Sequence, residues 1–209
     1  SMSIIAAKLC GVGEKKIFKS LDKIKNVSGR LELIKVFPNN VRVFIDFAHT
    51  PDALKKTLRA LKENYGNDIS LVFGCGGNRD QAKRPIMAEI AKSYCKKIYV
   101  TDDNPRNEKP EKIRNEILKN IKSRNTYNIG NRVKAISFAI KNADPNDIIL
   151  VSGKGHETEQ IYKNKIINLS DKQIIKKLKL NIKKISNLDQ NLIQNRKIFK
   201  EIKRGVHIG

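Results

Sequence analysis

From residue 41 to residue 152 the sequence repeats one unit: a short apolar run rich in β-branched residues, a polar or glycine-bearing turn, and a longer amphipathic segment. Residues 41–46, 69–74, 97–101, 126–129 and 148–152 have the length and composition of strands. Residues 51–65, 85–94, 110–123 and 132–142 have helical spacing. Three of these begin at proline, where the missing N–H removes no helical hydrogen bond. A parallel neighbour is reached only through a crossover, and a parallel sheet has to be covered on both sides. The pattern therefore predicts an α/β fold, a mainly parallel sheet with helices on both faces.

The flanks read differently. Ile17, Leu21 and Ile24 mark a helix within residues 14–25, and Leu31, Leu33 and Val36 suggest a strand after the Ser28-Gly29 break. Beyond residue 156, residues 160–162 and 165–169 flank a polar turn and predict a C-terminal β-hairpin, followed by a helix capped by Ser170. Residues 181–209 form a Lys- and Asn-rich extension with one weakly amphipathic stretch through Leu192, Ile193, Ile198 and Ile202.

The charge balance invites a nucleic-acid reading: 43 Lys and Arg face 21 Asp and Glu, a net +22. Composition weakens it. There are 32 Lys but 11 Arg, and Lys, Ile and Asn, all with AT-rich codons, fill 82 of 209 positions. Phosphate and base recognition favours Arg, and single strands need exposed aromatics, which make up only 6% of the chain. Most of the lysine thus reads as solvated surface, and a basic nucleic-acid-binding module stays as the alternative. No apolar run approaches the roughly 18 residues of a membrane span, and no secretory signal opens the chain, so a soluble, cytoplasmic protein without membrane or nucleic-acid partners is expected. Three cysteines without zinc-ligand spacing predict neither a disulfide framework nor a metal site.

In open α/β sheets ligands bind beyond the carboxyl ends of the strands, and four such ends are rich in polar groups. Asp46, His49 and Thr50 stand between a strand and a helix; the plainer reading is that Thr50 or Asp52 caps the helix and His49 bonds locally. Residues 74–80, Gly-Cys-Gly-Gly-Asn-Arg-Asp, allow close backbone approach, and Arg79 offers a two-pronged contact to an anion. They match neither a dinucleotide fingerprint nor a P-loop. Residues 101–108 place Asp102, Asp103, Asn104 and Arg106 in a proline-stiffened turn that suits a zwitterion, with a capping loop and a solvated Arg as the alternative. Residues 152–157, Ser-Gly-Lys-Gly-His-Glu, bracket a lysine with glycines and add His156 and Glu157.

Taken together, SGRLE (28–32), DFAHTPDAL (46–54), FGCGGNRD (73–80), KRP (83–85), TDDNPRNE (101–108) and SGKGHE (152–157) resemble the C-terminal domain of the Mur ligases over residues 28–180. The resemblance implies a Rossmann-like domain that presents an incoming amino acid, with residues 1–27 a remnant of the family's central ATPase domain. It is strongest toward the branch that adds meso-diaminopimelate to UDP-N-acetylmuramoyl-L-alanyl-D-glutamate. Folylpolyglutamate-type relatives fit less well because of the Asp-Asn-Pro-Arg run. By resemblance Arg30, Asp46 and His49 meet ATP, while Arg79, Asp103, Asn104, Arg106, Gly153 and Glu157 hold diaminopimelate. Arg106 pairs with the distal carboxylate that L-lysine lacks, and Glu157 with the distal ammonium. The implied chemistry has ATP convert the D-glutamate side-chain carboxylate to an acyl phosphate, which the amine then attacks. His156 is a candidate base, and no catalytic residue is assigned. The family's P-loop, of the form G-T-x-G-K-T, does not occur in the 209 residues. ATP and magnesium are therefore expected to serve the full-length enzyme, with this piece binding no cofactor and turning nothing over alone. A free-standing amino-acid-binding or interaction domain without catalysis is the remaining alternative.

Overall fold

A computed structural model of the protein describes residues 2–179 apart from 22, 24–26 and 122. The helix position expected for Ile24 and the amphipathic stretch expected within residues 181–209 lie outside the described residues. Six strands form one sheet in the order β1-β2-β6-β3-β4-β5: β1 (Glu32–Val36), β2 (Arg42–Asp46), β3 (Ile69–Phe73), β4 (Lys97–Val100), β5 (Thr126–Asn128) and β6 (Ile148–Ser152). Only β1 runs antiparallel, against β2; every other pairing is parallel. The hairpin β7 (Glu159–Tyr162) and β8 (Lys165–Asn168) stands as a separate sheet.

Strand periodicity of two divides the apolar residues between two cores. Phe44, Leu71, Phe73, Val100 and Leu150 face one side, where they meet α3 (Pro51–Tyr65), α4 (Lys83–Tyr94) and α5 (Pro110–Leu118) through Leu54, Leu58, Leu61, Met87, Ile113 and Ile117. Val43, Ile45, Val72, Tyr99, Ile149 and Val151 face the other, against α6 (Arg132–Lys141) and α7 (Asp171–Lys177) through Ile136, Ile140 and Ile175. Fully burying each such side chain is worth about 1.5–3 kcal/mol, enough to set which face every strand residue takes.

Local chemistry starts and stops the helices. The Thr50 hydroxyl accepts from the Ala53 N–H at 3.4 Å, Pro51 follows it, and Gly66 ends α3 in the left-handed region at φ 67°. Asn131 and Ser170 cap α6 and α7 the same way.

Several expected boundaries move. α4 begins at Lys83 rather than at Pro85, and α5 stops at Leu118 rather than at residue 123. Leu31 turns the chain at φ 41° instead of opening β1. The helix expected within 14–25 is α2 (Glu14–Leu21), and an unexpected α1 (Met2–Leu9) precedes it. Ile5, Leu9 and Phe18 on these two helices stay exposed. No helix among the described residues is long and apolar enough to cross a membrane.

One ion pair lies inside the second core. The Arg132 guanidinium donates to both Asp171 carboxylate oxygens, at 2.8 and 2.7 Å, and to the Ser152 carbonyl at 3.1 Å, with both side chains fully buried. Removing one partner strands the other charge. Asp171→Ala is expected to lower unfolding stability by about 3–5 kcal/mol in urea titrations, and the double replacement Arg132→Met with Asp171→Leu by much less.

Candidate functional site

Parallel pairing aligns the strand ends: Asp46 lies beside Ser152, and Phe73 beside Val100. β6 sits between β2 and β3. The chain leaves β2 and β3 for α3 and α4 on one face, and leaves β6 toward the hairpin and α7 on the other. Diverging connections open a crevice at such a point. A cleft of about 500 Å³ occupies it, walled by the loops that follow β2, β3, β4 and β6. Arg79, Asp103, Asn104, Arg106, Gly153, Glu157 and His49 all line it, together with Phe47 and Lys83.

The two adjacent acids after β4 separate. Asp102 turns from the cleft, where its carboxylate accepts from Arg114 and, at 3.0 Å, from the Tyr162 hydroxyl. Asp103 turns into it. One Asp103 oxygen accepts from the Asn104 N–H at 2.8 Å, and the other, Oδ2, is buried without a partner. Burial pushes its carboxyl above the usual aspartate range, opposed by the Arg132 and Lys154 cations. A buried carboxylate oxygen with no donor is costly unless a ligand supplies one.

Arg106 adopts φ 52°, a left-handed conformation that non-glycine residues rarely take. Its backbone N–H donates to the Ile161 carbonyl at 3.0 Å, and its NH1 to the carbonyls of Gly77 and Asn104, at 3.0 and 3.3 Å. With NH1 held, Nε and NH2 keep the planar geometry for a two-pronged contact to a carboxylate. The glycine loop lies directly against this turn: a Cβ on Gly77 would sit 1.9 Å from the Pro105 carbonyl oxygen.

Two cations in the first turn of α4 hold these loops. A helix N-terminus disfavours positive charge, yet Lys83 and Arg84 are both buried there. Lys83 donates to the His49 carbonyl at 2.8 Å. Arg84 donates to Glu116 at 2.5 Å and to both oxygens of Glu108, at 3.0 and 3.1 Å; Glu108 in turn accepts from the Asn78 N–H at 2.6 Å.

After β6, Lys154 is fully buried, and its ammonium donates to Asn104 Oδ1 at 3.1 Å, Glu157 Oε2 at 2.9 Å and the Glu159 carbonyl. Asn104 Nδ2 donates to the same Glu157 oxygen at 3.0 Å. The hairpin is sewn to residues 102–104 by Gln160 Nε2, which donates to the carbonyls of Asp102 and Asp103 at 3.0 and 2.8 Å.

The residues expected at ATP divide. The Arg30 guanidinium lies 4.7 Å from the centre of the Phe47 ring, which His49 and His156 also contact, at 4.7 and 5.4 Å. Asp46 is turned inward: its carboxylate accepts from the Leu31 N–H at 2.6 Å, the Ala48 N–H at 2.8 Å and the Thr57 hydroxyl at 3.2 Å. Arg30 and Asp46 are outside the cleft lining. The plain local contacts expected after β2 are also present, since Thr50 caps α3 and His49 Nδ1 lies 2.8 Å from the Phe47 carbonyl. Phe47 thus gathers one guanidinium and two imidazoles around its ring. Among the described residues no group of three His, Cys, Asp or Glu side chains is arranged to hold a metal ion.

The sequence alone assigns no role to Phe47, Lys83, Arg84, Arg132, Gln160 or Tyr162. Only the Lys-Arg-Pro run carried a readable signal, two cations where a helix start prefers acids.

Sheet order and loop set define the class, an α/β domain with a ligand cleft at its parallel strand ends. The family model described as "Mur ligase, glutamate ligase domain" matches residues 29–155, and the chain belongs to that family. It is 48% identical over 157 residues to a protein of Buchnera aphidicola subsp. Schizaphis graminum named UDP-N-acetylmuramoyl-L-alanyl-D-glutamate--2,6-diaminopimelate ligase, covering 75% of this chain and 31% of that protein. A Rickettsia montanensis protein of the same name is 42% identical over 178 residues, covering 84% and 36%. A solved structure of a ligase of that name superposes with a TM-score of 0.66 at 33% identity, covering 83% of this chain and 36% of the other. The UDP-N-acetylmuramate-alanine ligase of Thermotoga maritima shares the fold, with a TM-score of 0.56 at 20% identity over 72% of this chain and 32% of that one. The chain spans about a third of the length of the curated relatives it matches.

The Arg84 contact holds the Glu108 carboxyl below its ordinary value of 4.5, against the opposing effect of burial. A depressed carboxylate contributes stability that is present above the unfolded value and lost as pH falls through the folded one. Unfolding free energy should therefore drop as pH falls below about 4.5. Glu108→Gln should flatten that drop, as read by denaturant titration at a series of pH values.

Proposed function

We propose that this chain is the C-terminal, amino-acid-presenting domain of an ATP-dependent, amide-forming ligase that adds meso-diaminopimelate to UDP-N-acetylmuramoyl-L-alanyl-D-glutamate in peptidoglycan synthesis. The observation that carries the reading is the cleft itself. It sets the unpartnered oxygen of Asp103 and the carboxylate of Glu157 against the guanidinium of Arg106. Diaminopimelate has a zwitterionic centre at each end, and the distal one needs this pairing of acid and guanidinium. Arg106, with the second Nδ2 proton of Asn104, takes the distal carboxylate, and Glu157 with Asp103 takes the distal ammonium. Gly153 keeps the wall beside Asp103 Oδ2 open, since a Cβ there would lie 2.6 Å from that oxygen. Arg79, exposed at the cleft rim, meets the second carboxylate.

Arg30, His49 and Phe47 form the edge that meets ATP, and Asp46 acts by holding the segment that carries Arg30. ATP supplies the activated carboxyl; this chain's part is to hold the amine in line and keep water from it. Residues 28–180 make up this domain. Residues 1–27 belong to the preceding ATPase domain, a reading supported by the exposed Ile5, Leu9 and Phe18 and by a family match that starts at residue 29. With the nucleotide and magnesium machinery there, the chain alone releases no phosphate from ATP.

Arg106→Ala should weaken binding of meso-diaminopimelate by about tenfold to a hundredfold, the loss of charge-assisted hydrogen bonds worth about 1.5–3 kcal/mol. Binding of L-lysine should change less than threefold. Titration calorimetry on the chain reads both; equal losses for the two ligands would remove Arg106 from its assigned role. Phosphate release from ATP and magnesium by the purified chain would overturn the division of labour between domains.

A further inference from the structure

We propose that Lys154 is a positioning residue: a buried ammonium that presets Asn104 and Glu157 before the amino acid arrives, without touching it. The inference rests on the reading of the cleft as an amino-acid site.

An ammonium has three protons to donate, and Lys154 spends them on Asn104 Oδ1, Glu157 Oε2 and the Glu159 carbonyl. Its side chain is fully buried and absent from the cleft lining, so no donor remains for a ligand. The effect on Asn104 is directional. Its carbonyl oxygen accepts from Lys154 and, at 3.0 Å, from the Ile161 N–H, which fixes the amide so that Nδ2 faces Glu157. A flipped amide would set NH2 against two donors.

The effect on Glu157 is selective between its two oxygens. Oε2 takes both Lys154 and Asn104, at 2.9 and 3.0 Å, which leaves Oε1 as the acceptor for an incoming ammonium. The third bond ties the start of β7 to the same point. One buried charge thereby sets the facing of two cleft residues and the entry of the hairpin. The two glycines around Lys154 fit this role. Gly153 at φ 113° and Gly155 at φ 53° take left-handed conformations on either side of it, which lets the chain dip and carry its side chain inward.

The test compares the wild-type chain with Lys154→Met, Glu157→Gln and the double variant. One readout is the Asn104 side-chain NH2 resonances without ligand; the other is meso-diaminopimelate affinity by calorimetry. Lys154→Met is expected to shift the Asn104 resonances and speed their hydrogen exchange, and to weaken binding about tenfold. Glu157→Gln should weaken binding about tenfold in the wild-type background but less than threefold on top of Lys154→Met, because the preset is already lost. Unmoved Asn104 resonances, additive losses, or tighter binding by Lys154→Met would overturn the proposal. The last result would mean that Lys154 only offsets the charge of Glu157.

If the wild-type chain binds no meso-diaminopimelate, the functional reading fails, while the ligand-free Asn104 resonances still judge the positioning. If Lys154→Met does not fold, the wild-type ammonium resonance of Lys154 serves instead. Slow proton exchange there that quickens in Glu157→Gln supports the proposal, and a signal indifferent to Glu157 overturns it.

Discussion

The parallel insertion of β6 between β2 and β3 determines where everything else can go. Because the pairing is parallel, Asp46, Phe73, Val100 and Ser152 finish at one edge, and four loops must share the space above them. Because α3 and α4 return along one face while the chain beyond β6 leads to α7 on the other, those loops spread instead of stacking. A cleft at this edge is thus a property of strand order, and side chains only decide what it holds.

Loops of this kind make few apolar contacts, so something other than the core has to hold their shape. Buried cations do it. Arg84 binds the turn after β4 through Glu108, Lys154 binds the start of the hairpin, and Arg132 anchors the end of β6 to α7. Burying an ion is unfavourable unless its donors are met; carbonyls and carboxylates of the loops and of α5 and α7 meet all but Arg84 Nε and Arg132 NH1. The result resembles a set of rivets around the strand ends.

Much of the architecture was legible because burial imposes period two on strands and a wider period on helices, and residues 41–152 obey both. Four loops could be singled out because polar groups and glycines gathered where strands end. What could not be read was long-range pairing. α4 starts two residues before the sequence predicts because Lys83 and Arg84 violate helix-start preference in favour of partners at His49, Glu108 and Glu116. Residue type and spacing leave Asp102 and Asp103 equivalent; the resemblance singles out Asp103, and the contacts of Asp102 with Arg114 and Tyr162 give the physical difference. Leu31 reads as a strand residue in sequence because nothing local reveals that Asp46, fifteen positions on, holds its N–H.

That last contact reaches beyond the turn it makes. Gly29 packs so closely on the loop after β6 that a Cβ would come within 2.3 Å of the His156 nitrogen, and Asp46 grips the chain two residues later. The segment leading back to α1 and α2 is therefore pinned at the lip of the cleft and not at a distant corner of the sheet. Residues 29–31 thus meet the sheet at the same loop that carries Lys154, His156 and Glu157, so a change in that loop is felt where the chain enters β1.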